Sequence, residues 1–241
     1  MNKEFEREAL LLGEAAMEKL RHARVALFGV GGVGSYAAEA LARSGVGNIL
    51  LVDSDTVSIS NINRQLCALH STIGRFKVDV VAGRLLDINP ELNVDTRRDF
   101  VLPDNIDRFA FEEFDYVIDA IDTVSAKLAI VERCNAVGTP IISSMGTGNK
   151  QDPTALKVTD ISKTTTCPLA RVMRRELKKR GISHLRVVYS EEEAMTPLER
   201  ITTDGGKTVP GSLAFVPSVA GLIAAGEAVK YIVAREKHID G

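Results

Sequence analysis

The 241-residue chain is poor in cysteine, and its three, Cys67, Cys134 and Cys167, form no CxxC pair. That excludes a disulfide framework and a zinc ribbon; no zinc is expected, and a reducing, cytoplasmic setting fits. An excess of one charge is also lacking: 30 Lys and Arg stand against 32 Asp and Glu, a net charge of −2. A nucleic-acid partner would have to be met by a local basic patch, not by a global field. The N-terminus, MNKEFEREALL, carries no apolar signal-peptide core. The most apolar stretch, 213–234, is interrupted by Pro217, Gly221, Gly226, Glu227 and Lys230. It reads as a helix packed on a core or a subunit interface rather than a membrane span, so no membrane partner is expected. Internal repeats and low-complexity segments are missing. None of His22, His70, His184 and His238 stands at metal-ligand spacing, and none is assigned a role.

What is present is enough apolar residue, 45%, to bury a full core. Apolar spacing predicts helices over 5–20, 35–44, 77–88, 123–137 and 168–179, with a last helix after Pro217. Short apolar runs predict strands over 25–29, 48–53, 94–98, 114–119, 139–145, 156–160 and 185–190. Asn89-Pro90 and Gly138 each close a helix. Strands alternating with helices predict a Rossmann-like α/β fold: a mostly parallel sheet with helices on both faces, plus a C-terminal extension of mixed elements. The whole is expected to be one domain, with residues 1–145 as its core and 146–241 as an extension. Residues 190–211, rich in acids, Thr, Gly and Pro, predict a long loop of the lid kind.

The chemistry is concentrated in 25–65, VALFGVGGVGSYAAEALARSGVGNILLVDSDTVSISNINRQ. Gly29, Gly31 and Gly34 fit GxGxxG between a strand and a helix, with Gly32 adding room. The helix start offers free amides and a positive dipole end to phosphate. Asp53 follows about 20 residues later at a strand end, where a carboxylate meets ribose hydroxyls. The polar tract after it does not suit a nicotinamide cleft. Asn61 stands three and four residues before Arg64 and Gln65, so one helical face can carry all three. Arg64 can clamp phosphate oxygens in bidentate fashion. Lys77, after Gly74 and Arg75, can neutralise a phosphate under attack. Asp122, just past the strand FDYVID, stands where a sheet edge meets ligand and can hold Mg²⁺ on phosphates.

At these residues the chain resembles the ThiF/MoeB and ubiquitin-activating adenylyltransferases. Their pattern D-x-D-x-V-x-x-S-N-x-x-R-Q is matched at Asp53, Asp55, Val57, Ser60, Asn61, Arg64 and Gln65, followed by Lys77 and DAIDTVSAK. The resemblance implies one adenylation domain, with 1–145 as its nucleotide-binding core and 146–241 serving substrate and dimer contacts, in which Asp53, Asp55, Asn61, Arg64, Gln65, Lys77 and Asp122 bind Mg·ATP. It also implies a homodimer in which an N-terminal arginine, here Arg7 in FER, reaches the partner's phosphates. The second half, SSMGTGNKQDPTALKVTDISKT, PLARVMRRELKKRGI and VPGSLAFVPSVAGLIAAGEAV, resembles the branch of that family whose members dehydrate threonylcarbamoyladenosine in tRNA. What this implies is adenylation of the threonyl carboxylate, then ring closure with loss of AMP. A good leaving group and an intramolecular nucleophile suffice for that, and no protein thiol is required. The resemblance also leaves room for a sulfur-handling partner protein.

Arg171, Arg174, Arg175 and Lys178 share a face of the 168–179 helix and are expected to meet tRNA phosphates. Cys134, inside a helix, and Cys67 read as packing residues. Cys167, beside Pro168, is the most reactive-looking by context. Three other readings stay open: activation of the C-terminus of a ubiquitin-like sulfur carrier, an NAD-dependent oxidoreductase, and a non-catalytic nucleotide-binding subunit. Missing zinc pairs weigh against the first. The Asn61, Arg64 and Gln65 set weighs against the second, and the presence of Arg64, Lys77 and Asp122 against the third.

Overall fold

The computed structural model describes residues 3–202, 206 and 208–235; His238 lies outside them. The helices are α1 (Glu6–Leu12), α2 (Glu14–His22), α3 (Gly34–Arg43), α4 (Lys77–Ile88), α5 (Val124–Val137), α6 (Pro168–Lys179) and α7 (Phe215–Ala234). The strands are β1 (Arg24–Phe28), β2 (Asn48–Val52), β3 (Asn93–Arg97), β4 (Tyr116–Asp119), β5 (Ile141–Ser144), β6 (Leu156–Asp160) and β7 (Arg186–Ser190). One sheet takes all seven in the order β3-β2-β1-β4-β5-β7-β6. Every pairing is parallel except β6 with β7 at one edge. The Rossmann-like reading of the sequence therefore describes the fold.

Strand side chains alternate between two cores, which is why these strands are apolar throughout rather than at every second residue. Val25 and Leu27 of β1 and Ile49 and Leu51 of β2 join the core under α3, α4 and α7. Ala26, Phe28, Leu50 and Val52 face the opposite way, into a cluster with Phe109, Phe111 and α5. A third cluster packs α6 on β7 through Met173, Leu177, Val187 and Tyr189.

The expected helix over 5–20 is two helices, α1 and α2. Gly13, with φ +82°, breaks it, and its amide closes α1 on the Ala9 carbonyl. The last helix starts at Phe215, before Pro217. A proline in the first turn removes no intrahelical bond, because that amide has no partner there. By length and composition α7 could cross a membrane. One face, including Val216, Ala220, Ala224 and Ala228, is instead buried in the core it shares with α3. Lys19 on α2 donates to the last carbonyls of this helix region, Val233 at 2.6 Å and Arg235 at 2.8 Å. A cation there complements the helix dipole.

Candidate active site

The strand order reverses between β1 and β4, and open α/β sheets bind ligands at that crevice. A cavity of about 560 Å³ opens at the C-terminal ends of these strands. Its floor is the glycine turn. Gly29 has φ +87°, and a Cβ there would stand 2.8 Å from the Ala120 carbonyl. A Cβ on Gly34 would run into the Gly29 carbonyl oxygen. Both positions need glycine for these reasons. Gly31 and Gly32 line the cavity. Ser35, one residue into α3, donates its hydroxyl to Gly31 O at 2.6 Å and accepts from Leu66 N at 3.2 Å. The turn is thereby joined to the polar tract.

Asp53 directly follows β2 and lines the cavity. Its carboxylate accepts from the Val30 amide at 2.7 Å and the Asp55 amide at 2.9 Å. It therefore shapes the glycine turn from below, a duty the ribose-binding reading does not include. The tract that follows is drawn against 74–77 by bonds from Val57 N to Arg75 O at 2.9 Å and from Gly74 N to Val57 O at 2.8 Å. That pairing delivers Lys77, the first residue of α4, to the cavity. Its side chain is nearly buried, and Nζ sits 2.6 Å from Asp55 Oδ2. The expected helical turn forms: Asn61 O accepts from Arg64 N at 3.0 Å and Gln65 N at 2.9 Å. Asn61 Oδ1 accepts from Ser58 N at 3.0 Å, capping the turn. Arg64 Nη1 donates to Ser60 O at 2.8 Å, and Asn61, Arg64 and Gln65 all face the cavity.

Asp122 follows β4, is exposed, and lines the opposite wall. Its Oδ1 accepts only a long bond from Thr123 Oγ1, 3.4 Å. Beneath it lies a pair the sequence reading passed over. Asp119 and Lys127 are fully buried, 2.8 Å apart. Ser143 Oγ donates to Asp119 Oδ2 at 2.6 Å, Ile121 N donates to Oδ1 at 3.2 Å, and Lys127 Nζ donates to Ile121 O at 3.0 Å. Ile121 is held through both its amide and its carbonyl, which sets the path of the loop bearing Asp122. The signal was legible within DAIDTVSAK: an aspartate ending an apolar strand and a lysine inside an apolar helix each need a partner.

Arg7 is exposed on α1 and does not line the cavity of its own chain. On α6, Arg171, Arg175 and Lys178 are exposed, but Arg174, on the same side of the helix, is drawn away from solvent. It is partly buried, and its Nη1 donates to Thr164 O at 2.8 Å and Thr164 Oγ1 at 2.6 Å. Lys179 and Arg175 hold the Glu176 carboxyl down to about 2. Leu169, in the first turn of α6, lines the cavity, so this helix leads away from its rim. The three cysteines are all buried. Burial pushes the Cys67 thiol up, against the pull of nearby Lys77. Cys167, reactive-looking by context, packs under Gly146 as the residue preceding α6. Among the described residues no cluster of three or more His, Cys, Asp or Glu is placed to hold a metal.

The sequence profile of the ThiF family matches residues 5–241. The chain belongs to the ThiF family. Within that family it is 47% identical over 236 residues to a tRNA threonylcarbamoyladenosine dehydratase of Bacillus subtilis, covering 94% of this chain and 93% of that one. The enzyme of the same name from Escherichia coli is 37% identical over 247 residues, covering 94% of this chain and 92% of the relative. A crystal structure of the Escherichia coli enzyme in complex with ATP superposes with a TM-score of 0.88 at 38% identity, covering 96% of this chain and 94% of that one. ThiF-family membership thus accounts for the glycine turn, the polar tract and the sheet order together.

Proposed function

We propose that this ThiF-family chain is an ATP-dependent dehydratase of threonylcarbamoyladenosine in tRNA. The observation that carries the reading is that Arg64, Lys77 and Asp122 line the same cavity as the glycine turn. Two cations beside the glycine turn, with Asp122 as a carboxylate that no cation among the described residues pairs, suit polyphosphate activation, not hydride transfer. Near full-length similarity to dehydratases from two bacteria supports the choice of substrate.

The threonyl carboxylate attacks the α-phosphorus of ATP, and pyrophosphate leaves. An atom of the same modified side chain then attacks the acyl carbon and expels AMP; the net change is loss of water. Gly31, Gly32 and the start of α3 receive the phosphates, and Asp53 with Asp55 and Gln65 frames the nucleoside end. Arg64 and Lys77 neutralise charge on the phosphorus under attack, with Asp55 keeping Lys77 in place until phosphate competes for it. Magnesium fits at Asp122, because it commonly takes one or two carboxylates and completes its shell with phosphate oxygens and water. When bound it would neutralise phosphate charge.

Arg171, Arg175 and Lys178 provide tRNA phosphate contacts along α6, and Arg174 supports them by holding 161–164. In this reading the chain works as a cytoplasmic homodimer, with residues 146–241 serving substrate and subunit contacts. Exposed Leu10 and Leu11 on α1 then meet a second copy, and Arg7 enters the partner's cavity. A sulfur-handling partner would have to dock away from the cysteines, which are buried.

Pyrophosphate release separates the alternatives. It is expected with tRNA carrying the modified adenosine and not with a ubiquitin-like carrier protein; stimulation by the carrier alone would overturn the assignment. Arg7→Ala and Asp122→Ala should each be inactive, and mixing the two should restore part of the activity through one intact composite site. No recovery after subunit exchange would remove Arg7 from the mechanism.

A further inference from the structure

Residues 208–212 form a strap whose Val209, Pro210 and Ser212 line the cavity. It is pinned at Gly211 and Ser212, from two sides. On the side of the turn after β5, Asn149 N donates to Gly211 O at 2.7 Å, and Gly211 N donates back to Asn149 Oδ1 at 2.6 Å. Asn149 O also accepts from Met195 N at 2.8 Å. Asn149 is the one non-glycine residue with positive φ among the described residues, +58°. That conformation turns its amide and its side chain toward the same partner, and asparagine tolerates it best after glycine. Its neighbour Gly148 lies so close to the strap that a Cβ there would stand 2.8 Å from Pro210 Cβ. On the side of the polar tract, Asn63 Nδ2 donates to Ser212 O at 2.9 Å, beside Arg64. The strap therefore ties the phosphate-facing tract to the turn after β5.

An acyl-adenylate has two fates. An intramolecular nucleophile closes the ring, or water adds to the acyl carbon, the bond to the phosphate oxygen breaks, and AMP leaves with the linear carboxylate restored. The second fate consumes ATP and changes nothing in the tRNA. Gly148 packs on Pro210 and closes strap on turn at that point, and Val209 and Pro210 present no side-chain donor to water; the hydroxyls of Thr208 and Ser212 stand at the two ends of the strap. We infer that Asn149 is a positioning residue that seats the strap over the acyl end of the cavity, so that ring closure outcompetes hydrolysis. This rests on the acyl-adenylate reading above.

The test is the ratio of AMP formed to tRNA cyclised, using the full chain, ATP and modified tRNA. Asn149→Ala removes the Oδ1 acceptor and disfavours the positive φ; Asn149→Asp keeps an acceptor and tolerates that φ. The ratio should stay at parity in the unaltered protein and in Asn149→Asp, and rise several-fold in Asn149→Ala. Asn63→Asp, which removes the donor to Ser212 while keeping the oxygen that accepts from Arg64, should also raise it. It carries the test should Asn149→Ala not fold. If AMP and cyclised tRNA fall together at a constant ratio in both variants, the strap has no protective role and the inference is overturned. If the unaltered protein forms no AMP with modified tRNA, the proposed reaction itself fails and the inference falls with it.

Discussion

Asp119 and Asp122 stand three residues apart and do different work. Asp122 is exposed and touches little, so its cost lies in chemistry. Asp122→Ala should abolish pyrophosphate release while leaving the melting temperature almost unchanged, since exposed side chains contribute little to stability. Lys127, by contrast, neutralises Asp119 with neither side chain exposed. Lys127→Met would strand a buried carboxylate and should cost about 3–5 kcal/mol in denaturant unfolding. An Asp122→Ala protein that turns over normally, or a Lys127→Met protein of unchanged stability, would refute the respective role. Asp122 was legible because it follows an apolar strand in a polar setting. Around Asp119 the need for a partner was legible but the groups that meet it were not, because Lys127 and Ser143 come from a later helix and strand.

At the scale of an element, α6 shows what spacing can and cannot say. Arg171, Arg174, Arg175 and Lys178 do fall on one side of a helix. Yet 161–164 packs against that side, and Arg174 bonds to its carbonyls. Charge reversal at Arg171, Arg175 and Lys178 should weaken tRNA binding, leave ATP affinity intact, and lower the slope of log affinity against log salt by about one per lost phosphate contact. Unchanged tRNA affinity in filter binding would sink the interface. Arg174→Ala should instead lower the melting temperature, since it removes a partly buried guanidinium from Thr164. The polar tract behaves differently from α6. Its helical turn was legible because Asn61, Arg64 and Gln65 bond within five residues, with no distant element involved.

For the whole molecule, α3 is joined to α4 by Glu39, which meets Arg84 at 2.6 Å and Arg43 at 2.7 Å. Burial pushes the Glu39 carboxyl up, but bonds from Arg84 and Arg43 outweigh it, and the net position is below the usual 4.5. A carboxyl lowered in the folded state stabilises above its unfolded value and loses that contribution as pH falls through its folded value. Glu39→Gln should therefore melt earlier than the unaltered protein at pH 7, and the gap should close as the solution is acidified below about 4.5. A gap that widens in acid would reverse the assignment. The same joint holds α4, and with it Lys77, against the helix that begins in the glycine turn.

The sequence by itself determined the local chemistry: the glycine turn, the carboxylate at the end of β2, the helical turn carrying Asn61, Arg64 and Gln65, and the alternation that makes a parallel sheet. Each depends on residues close in the chain, where backbone geometry and hydrogen bonding are set by side-chain type and spacing. Tertiary structure alone decided that Asp53 props the turn it serves, that Lys127 is buried against Asp119, that Arg174 is taken up by Thr164 while Arg171 stays exposed, and that Asn149 reaches Gly211 over the cavity. Those facts depend on contacts between different elements, whether the residues are eight positions apart or sixty-two. Only packing to a dense core determines which polar group is left facing ligand and which must find its partner inside.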